Sequence, residues 1–598
     1  MNNDNSKANG NNGGVGYNRF LLLVAGLGGS LYGVDVGIIS GALPYLQATF
    51  KDAAGQLLKP DQVSFVVAAF LLGTVFSTLF AGMLADWLGR RTIMLFSGIL
   101  FVASVPMIAL AHSYDALVLG RVLQGCSGGL IGVSVPLYLA ECLGASSRGK
   151  GTAIFQLLLT LGIVSAAFIG LYFSGRVDAV AQLKDPEKLL AFKDTAWRGV
   201  FWVSLPPGIL FVLGTFFVAE SPRWLFRRGN VEAARTALLR SRSEAQTEVE
   251  LKEMAEMTAA KSTAGGQVQE SLLKRKYVLP FLLACVILTC NQGTGINSII
   301  GYNSVILIQA GLGDKLAHLC NLFFTIINSL TTIVAVALVD RKGRKYLLSL
   351  GTAGIVVAMI CAGLLFMQTE KSQVDVKDAL QAEVIATNQT LTLQFNTAKS
   401  AQLLPRGGFG GHPSTLVVIY SYGDFHGATP AMRSDDFAAE PVKITRESCL
   451  PQNRVISFFK NPFADLKAAQ TAPLKIDHAL VTPVPGTQNG WMTAILLFVY
   501  VSFFAVGPGV CVWLALSELM PTRIRSNGMS IALLINQAVS TTIAAVFLPT
   551  VGAHGYSTMF FVFAGFAAVY FVTAAFFLPE TKGKTLEEIE ELFEHKKA

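Results

Sequence analysis

The sequence predicts an all-α membrane protein whose twelve transmembrane helices form two pseudo-symmetric six-helix halves, with an extra exterior loop module. Three observations lead to this fold class. The chain of 598 residues is 52% hydrophobic and only 14% charged, whereas soluble proteins carry roughly 25% charged residues. It contains repeated apolar runs of about 20 residues, the length that crosses a bilayer as a helix. The motif Asp86-Trp87-Leu88-Gly89-Arg90-Arg91 recurs as Asp340-Arg341-Lys342-Gly343-Arg344-Lys345, which indicates an internal duplication.

The apolar runs also predict the topology. Lys and Arg collect in alternate connections between the runs, while the loops around 111–115 and 550–555 contain neither. The positive-inside rule therefore places the basic connections, and with an even number of spans both termini, in the cytoplasm. The first run is too long for a signal peptide, so we expect it to remain as a helix. We place the runs at 18–46, 61–82, 92–112, 115–142, 150–173, 198–219, 278–310, 314–338, 346–368, 491–520, 527–549 and 554–579.

Further repeated residues divide the chain into domains. Glu141 and Arg148 close the fourth run with the spacing that Glu518 and Arg525 repeat after the tenth. We expect a polar cytoplasmic N-terminus over 1–17, an N-terminal half over 18–219, a cytoplasmic linker over 220–277, a C-terminal half over 278–579 and a cytoplasmic tail over 580–598. Helices are predicted in the linker at 231–240 and 248–257, either lying against the bundle or forming a solvated connection.

The second half contains an insertion. Asp86 and Glu141 are 55 positions apart, whereas Asp340 and Glu518 are 178 apart, and the extra residues fall at 369–490 between the ninth and tenth runs. The topology places this segment outside the cell. A strand is predicted at 414–422 and a helix at 376–383, so the insertion is either a small, partly ordered module or a flexible spacer. Asn388-Gln389-Thr390 is a glycosylation sequon.

Composition and motifs exclude several classes of function. The net charge of +8 comes from residues at the ends of apolar runs, so we expect a lipid bilayer rather than nucleic acid as the partner. The eight cysteines form no C-x-x-C pair, and no metal site or disulfide framework is indicated. No arrangement of nucleophile, base and orienting group is evident, so we expect no enzyme and no cofactor. The protein is expected to function as a monomer.

A carboxylate inside the first run is the strongest functional signal. Asp35 lies between apolar residues, where an ionised side chain costs on the order of 3 kcal/mol at the bilayer centre. It needs a partner or a proton, and Arg121 in the fourth run is the expected partner. Such a carboxylate can gain and lose a proton as its surroundings change, which predicts a proton-coupling switch. The alternative is a permanently ionised structural pair.

Amide side chains are concentrated in the seventh run, which contains Asn291-Gln292-Gly293-Thr294-Gly295-Ile296-Asn297. An amide offers donors and an acceptor without net charge, which suits a neutral polyhydroxyl ligand. Each amide could instead bond a neighbouring helix. Similar groups occur in the fifth, eighth and eleventh runs, at Gln156, Asn328 and Asn536-Gln537.

The duplicated basic motifs are predicted to form a cytoplasmic charge latch, with simple positive-inside anchoring as the alternative. In the first half, Asp86, Arg90 and Arg91 are expected to pair with Glu141 and Arg148, near Glu220 at the end of the sixth run. In the second half, the corresponding residues are Asp340, Arg341, Arg344, Glu518 and Arg525.

Taken together, these motifs resemble those of the sugar porters of the major facilitator superfamily. The resemblance covers nearly the whole chain. It includes Gly89-Arg90-Arg91, Gly120-Arg121, Glu141, Arg148-Gly149-Lys150, Glu220-Ser221-Pro222-Arg223-Trp224-Leu225, Gln292 with Gly295-Ile296-Asn297, Asp340 with Gly343-Arg344, Gly507-Pro508-Gly509, Trp513, Glu518 and Pro579-Glu580-Thr581-Lys582-Gly583.

The resemblance implies a transporter of the major facilitator fold, in which two halves rock around a central sugar. The family's sugar-contacting positions match Gln156, Gln292, Asn297, Asn328 and Trp513. Asp35 is similar to the proton-coupling aspartate of the family's symporters, with Arg121 as its partner. The expected function is import of a hexose or pentose with a proton across the plasma membrane, or the inner membrane of a bacterium.

Three alternatives remain open. A passive uniporter or a proton–inositol symporter would use the same fold, and a sugar sensor would keep the binding site without transport. Asn291 precedes Gln292 and Gln537 follows Asn536, where the family often has a second glutamine and an aromatic residue. The resemblance therefore does not identify the sugar.

Overall fold

The structure is a computed structural model that describes residues 5–53, 55–143, 145–263, 274–404, 409, 412–451, 461, 463–512, 519–521, 524–582, 588 and 593. Within these ranges it describes the backbone alone at residues 5–15, 145–153, 257–263, 340 and 525–527.

In the described parts of the first half and the linker, the regular elements are all helices. The transmembrane helices pack as a bundle, and short helices follow it. The elements are α1 (Asn5–Thr49), α2 (Pro60–Leu88), α3 (Arg90–Ala109), α4 (Tyr114–Cys142), α5 (Ala145–Ala181), α6 (Pro186–Trp202), α7 (Leu205–Phe217), α8 (Pro222–Arg227), α9 (Val231–Leu239) and α10 (Glu244–Thr263).

The second half repeats the bundle and contains the insertion. Before the insertion are α11 (Arg275–Gly293), α12 (Ile296–Gln309), α13 (Asp314–Lys342) and α14 (Arg344–Glu370). After it are α18 (Thr487–Phe504), which continues into a π-helical turn at Ala505–Gly509, and α19 (Arg525–Val572), followed by another at Thr573–Phe577. The insertion comprises β1 (Val374–Asp375), α15 (Lys377–Ala382), β2 (Leu391–Leu393), α16 (Thr397–Leu403), β3 (Ser414–Tyr422), β4 (Phe425–Ala428), β5 (Met432–Arg433), β6 (Val442–Ile444), α17 (Leu466–Ala469) and β7 (Leu474–Pro483).

Eleven helical segments of the described chain are long and apolar enough to cross a membrane. The last of them, Gly528–Phe577, breaks at Gly555, which has φ 83° and ψ 166°. Both oxygens of Glu370 accept hydrogen bonds just beyond this break, from the backbone N–H and the hydroxyl of Ser557. The carboxylate therefore caps the start of a new helix, and the two sides of the break are the eleventh and twelfth spans.

The structure adds detail to two predicted spans. The apolar span predicted at 18–46 is found at Gly16–Thr49, but its helix begins at Asn5, so part of the predicted polar terminus is helical. The sixth span comprises α6 and α7, which are separated at residues 203–204. Pro206 and Pro207 lie in the first turn of α7. Proline is tolerated there because the first N–H groups of a helix have no partner within the helix. The same two prolines prevent α6 and α7 from forming one continuous helix. The linker helices predicted at 231–240 and 248–257 are confirmed as α9 and α10.

The insertion folds around its own sheet. In the larger sheet the strand order is β1-β7-β3-β4, and β5 also pairs with β3. The central pair, β3 and β7, is antiparallel. Alternate residues of β3, including Leu416, Val418 and Tyr420, enter a core that is separate from the helical bundle. The strand predicted at 414–422 is confirmed as β3, and the helix predicted at 376–383 as α15. Asn388 is exposed in a turn.

The two ends of the bundle have differently arranged cores. We call the end that carries the duplicated basic motifs the basic end, and the opposite one, next to the insertion, the insertion end. At the insertion end one apolar cluster joins both halves, from Phe70 and Phe50 to Tyr302 and Phe547. Towards the basic end each half has its own cluster, around Phe211 in the first half and around Tyr570 in the second. The halves are therefore packed together at the insertion end.

Hydrogen bonds between the halves support this conclusion. They connect Ser40 to Ser304, Tyr45 and Ser174 to Asp314, His318 to the carbonyl of Gly41, and Ser64 to both Tyr302 and Leu548. All these residues lie at the ends of their helices that face the insertion. The conformation is closed at the insertion end.

Glycines allow helices α1 and α5 to approach closely within the first half. A Cβ at Gly162 would collide with the carbonyl oxygen of Ser30 and lie 3.0 Å from the backbone nitrogen of Val34. Such small-residue contacts allow van der Waals packing of helix backbones in a membrane, where no hydrophobic effect drives helices together.

We expect Gly162→Ala to lower the thermal unfolding temperature by several degrees, because a methyl group forced against backbone costs about 1–3 kcal/mol. Gly175→Ala on the same helix is the control, since a Cβ there meets nothing within 4 Å. That change should be neutral or stabilising, because alanine is the better helix former. Unfolding of the purified protein in detergent measures both. Equal unfolding temperatures for the two variants would contradict the packing argument.

Candidate functional site

Asp35 is completely buried in α1, with 0% of its surface exposed. Its Oδ1 accepts a hydrogen bond of 2.7 Å from Nε2 of Gln124 on α4. Its Oδ2 is buried without a hydrogen-bond partner among the described residues. A buried carboxylate oxygen with no donor is expensive when ionised but can carry a proton, so this oxygen is a natural protonation site.

Arg121 is fixed on α4 by several contacts. Its Nη1 donates to Oε1 of Gln124 at 2.5 Å, and its Nε donates to the carbonyl of Val66 at 3.5 Å. The guanidinium carbon lies 5.1 Å from the ring centre of Phe70 and 5.8 Å from that of Phe201. Cation–π contacts of this kind contribute on the order of 2 kcal/mol when desolvated. The positive charge is held between α2, α4 and α6.

Asp35 and Arg121 were expected to pair directly, but in the structure they are connected through a third side chain. The side chain of Gln124 stands between them and bonds to both. Sequence reasoning missed this residue, although one signal was available. Gln124 follows Arg121 by three positions in an apolar run, and residues with that spacing share a helix face.

The amide residues of the seventh span meet at a helix break. Helix α11 ends at Gly293 and α12 begins at Ile296, because Gly295 adopts the left-handed conformation at φ 84°. Asn297 then donates from Nδ2 to Oε1 of Gln292 at 3.1 Å and to Oγ of Ser540 on α19 at 2.8 Å. Broken helices at mid-membrane depth are typical of transporter binding sites.

Asn536 is on the same face of α19, one turn before Ser540. It is 1% exposed, and its Oδ1 has no hydrogen-bond partner among the described residues. Oδ1 of Asn291 and both polar atoms of the Asn303 side chain also lack a hydrogen-bond partner among the described residues. Asn303 lies on α12 and was not predicted as a site residue. A buried amide without a partner is costly. These groups therefore provide unused donor and acceptor capacity near the break.

The other predicted sugar-binding residues lie on α5 and α13. Ser329, next to Asn328, donates to the carbonyl of Thr160 at 3.5 Å, and Gln156 is one turn before Thr160 on α5. Gln156 is exposed and Asn328 is half-buried. These two amides thus lie near the contact between the halves. Trp513 lies outside the described residues.

A cavity of about 850 Å³ lies at the insertion end, between the bundle and the insertion. Its lining includes Tyr45, Lys193 and Asp314 of the bundle and Asp435 and Glu440 of the insertion. A hydrogen bond from Arg433, partly opposed by burial, lowers the pKa of Asp435. None of the amides described above is in this lining. The cavity is therefore separate from these amides.

The charge latch of the first half is present at the basic end. Arg90 is 2% exposed. Its Nη2 lies 2.7 Å from Oδ1 of Asp86 and 3.0 Å from Oε1 of Glu141. Arg227, which was not predicted, adds a contact of 3.2 Å to Glu141. Charge-assisted hydrogen bonds of this kind offset the cost of burying the guanidinium of Arg90.

Two predicted members of this latch act differently. Arg91 does not pair with Glu141 but donates to the carbonyls of Thr215 and Phe216, at 3.2 and 2.7 Å. Glu220 accepts the backbone N–H groups of Arg90 and Arg91, each at 3.0 Å, and so caps the N-terminus of α3. The cause is electrostatic, because the first N–H groups of a helix have no partner within the helix and attract an anion.

The second half repeats the cap. Glu580, which follows the twelfth span, accepts the N–H groups of Arg344 and Lys345 at 3.1 and 3.2 Å. Gly343 precedes them with φ 89°, as Gly89 does in the first half with φ 100°. Arg341 has an exposed side chain, and its carbonyl accepts from Nζ of Lys582 at 2.8 Å. The predicted latch residues Arg148, Asp340, Glu518 and Arg525 lie outside the described side chains.

The latch contacts described here stay within one half. Asp86, Arg90, Glu141 and Glu220 all belong to the first half or its immediate end, and Glu580 and Arg344 belong to the second. These contacts therefore connect helices within each half. The arrangement fits two rigid bodies that move relative to each other.

The chain matches the family described as "Sugar (and other) transporter" over residues 21–387 and 477–593. The gap between these ranges falls within the insertion. It is 26% identical to the glucose transporter GlcP of Staphylococcus epidermidis, over 96% of this chain and 97% of that one. It is 28% identical to the human proton myo-inositol cotransporter, over 96% and 82%.

The fold is similar to that of a solved membrane transporter. The xylose transporter XylE of E. coli, in a partially occluded inward open conformation, superimposes with a TM-score of 0.62. The sequence identity is 18%, and the match covers 94% of this chain and 100% of the other. The likeness supports a major facilitator fold.

We expect Glu220→Gln to lower the unfolding temperature by several degrees. The neutral amide still accepts a hydrogen bond but loses the attraction between a carboxylate and a helix N-terminus, which is worth about 1–2 kcal/mol in partly buried geometry. Glu253→Gln is the control, since Glu253 is exposed in the middle of α10, away from a helix N-terminus. The cap assignment fails if both variants unfold at the same temperature as the parent protein.

Proposed function

The chain belongs to the sugar transporter family of the major facilitator superfamily and is a multi-pass membrane transporter, not an enzyme, and from that premise we propose that it imports a monosaccharide together with a proton by alternating access. The observation that carries the proposal is the buried carboxyl of Asp35, whose Oδ2 has no hydrogen-bond partner among the described residues. A fixed ion pair would satisfy both oxygens, whereas a carboxyl that must accept and release a proton needs a free one.

The sugar-binding part of the proposal is supported by the amides at the break between α11 and α12. Gln292 and Asn297 are already oriented by a mutual hydrogen bond, and Asn536 retains a buried acceptor. Such groups can bond adjacent hydroxyls of a neutral ring. We propose a hexose or pentose as substrate. Myo-inositol is the second candidate, since a relative of 28% identity is named as a proton myo-inositol cotransporter.

The proposed orientation follows from charge. The basic end faces the cytoplasm by the positive-inside rule, and the insertion then lies outside the cell. In this orientation the conformation described here is closed to the exterior. We propose the plasma membrane, or the inner membrane of a bacterium, as the location.

Transport into proteoliposomes tests the proposal. We expect the protein to exchange one of D-glucose, D-xylose or myo-inositol, and to accumulate it above equilibrium only when an inward proton gradient is imposed. Asp35→Asn should abolish accumulation while exchange continues, because an amide cannot gain or lose a proton in this range. Asp115→Asn on α4 is the control, since Asp115 is exposed near the insertion end.

Each alternative gives a distinct result in the same assay. Equal final uptake with and without the gradient identifies a passive uniporter and rejects proton coupling. Specific binding of a sugar without exchange indicates a sensor. Accumulation that survives Asp35→Asn removes Asp35 from the proposed proton site.

We further propose that the insertion stabilises the state closed at the insertion end. Both its chain ends join the second half, yet it also contacts the first half. Lys51 lies 2.7 Å from Glu440 and Lys193 lies 3.8 Å from Asp436. Between these acidic residues, Ala438 joins the apolar cluster shared by both halves. Opening this end would have to break these contacts.

Charge reversal tests the role of the insertion. We expect Lys51→Glu to increase maleimide labelling of an added Ser304→Cys by about 1.5- to 5-fold, since exposed ion pairs contribute about 0.2–1 kcal/mol. Labelling is measured against the parent chain with its own cysteines. Glu440→Lys should act similarly, and the double swap should restore low labelling.

Lys188→Glu is the matched control, because Lys188 pairs only with Asp185 on its own helical turn among the described residues. If the double swap labels as strongly as the single variants, the ion pair does not hold this end closed.

A further inference from the structure

Gln124 connects the two charged residues of the proposed proton site. It lies on α4, with a bond of 2.5 Å from Arg121 to its Oε1 and one of 2.7 Å from its Nε2 to Asp35. It is itself 0% exposed. The three side chains therefore form a hydrogen-bonded chain across α1 and α4, and within the described part of the protein Gln124 is the side chain that bonds to both charged groups.

The orientation of this amide is fixed by chemistry. Arginine has donors but no acceptor, so it must face the amide oxygen. The amide nitrogen then faces Asp35, which must accept at Oδ1. Oδ1 can accept whether the carboxyl is ionised or carries a proton on Oδ2. The amide bond to Asp35 thus survives both protonation states, and Oδ2 remains the atom that changes.

We propose that Gln124 is a positioning residue that separates Arg121 from Asp35 so that the carboxyl can take up a proton without the loss of a direct ion pair. The proposal rests on the proposed proton coupling and assigns a residue that regulates it. Coulomb attraction falls with distance. An arginine held one amide away stabilises the ionised carboxylate less than an arginine in contact with it.

The surroundings are consistent with this role. Tyr32 on α1 is a titratable group that interacts with Asp35. Helices α2 and α6 present the rings of Phe70 and Phe201 to Arg121, which keep the guanidinium in place. Helix α5 presents Leu159 and Gly162 to the turn that precedes Asp35. Among these groups, Gln124 alone bonds to both charges.

Two substitutions should shift the protonation of Asp35 in opposite directions. Gln124→Leu removes the spacer, so Arg121 can approach the carboxylate and protonation should require a pH lower by about one unit. Gln124→Glu gives Arg121 a carboxylate of its own and places a negative charge beside Asp35, so protonation should occur at a pH higher by about one unit. A merely structural role would reduce transport in both variants without opposite shifts.

Infrared spectroscopy of the whole protein in liposomes measures this directly. The carboxylic C=O band of protonated Asp35 is identified by its absence in Asp35→Asn and followed against pH. The pH dependence of gradient-driven uptake of the exchanged sugar is measured in parallel. Ser127→Ala is the control, because Ser127 is also buried on α4 but bonds to the carbonyl of Ser97, and it should move neither midpoint.

The outcomes separate the two proposals. If the parent protein shows no gradient-driven accumulation, proton coupling is rejected, whatever the infrared band does. If accumulation is proton-driven and neither substitution at Gln124 shifts the midpoint, or both shift it the same way, the positioning role is rejected alone. Opposite shifts in the band, matched by opposite shifts in uptake, support it.

Discussion

Charges and helix ends inside a membrane bundle must be satisfied by the protein itself, because lipid offers no hydrogen bonds. In this structure three carboxylates meet that demand at helix N-termini. Glu220 caps α3, Glu580 caps α14 and Glu370 caps the last span after its break at Gly555. In each case the carboxylate comes from a different transmembrane segment, so the cap also fixes one helix against another. Local helix chemistry thereby determines how each half is assembled.

This constraint bears on how the two halves contact each other. The described caps and ion pairs at the basic end lie within one half. At the insertion end the halves contact each other through a shared apolar cluster, through hydrogen bonds such as those of Ser40 and Asp314, and through ion pairs to the insertion that are partly exposed. Breaking a buried charge pair costs about 3–5 kcal/mol, whereas a neutral hydrogen bond contributes about 1 kcal/mol. The individual polar contacts between the halves are therefore weaker than the buried charge pair of Arg90 and Glu141 within the first half. That the latch closes the cytoplasmic side stays a prediction, because the side chains of Arg148, Asp340, Glu518 and Arg525 lie outside those that the structure describes.

The sequence was sufficient to predict features that depend on long sequence patterns. It was insufficient to predict features that depend on contacts between distant segments. The spans, the insertion and its strand at 414–422 follow from apolar runs and spacing. Pro206 and Pro207 indicate the division of the sixth span, which was predicted as one continuous run. The bridge by Gln124 could not be predicted, because it exists only when α1 and α4 are packed with Asp35 and Arg121 at one level. Likewise, the sequence predicts Glu220 as a latch partner, whereas its role as a cap depends on a contact with the start of α3.

Some buried polar groups without a partner among the described residues belong to the proposed sites, while others, such as the hydroxyls of Ser134 and Tyr570, lie elsewhere. Oδ2 of Asp35 and the amide oxygens of Asn291 and Asn536 are buried without partners among the described residues. Each such atom costs about 1–3 kcal/mol, so a bundle that satisfies its helix ends elsewhere would have no reason to keep them for stability. A proton on Asp35 and a polyhydroxyl ligand at the amides would each supply the missing bonds. Binding of the proton or of the ligand would then lower the free energy most in the conformation that brings these polar atoms together. A proton and a sugar that favour the same conformation can be coupled without direct contact.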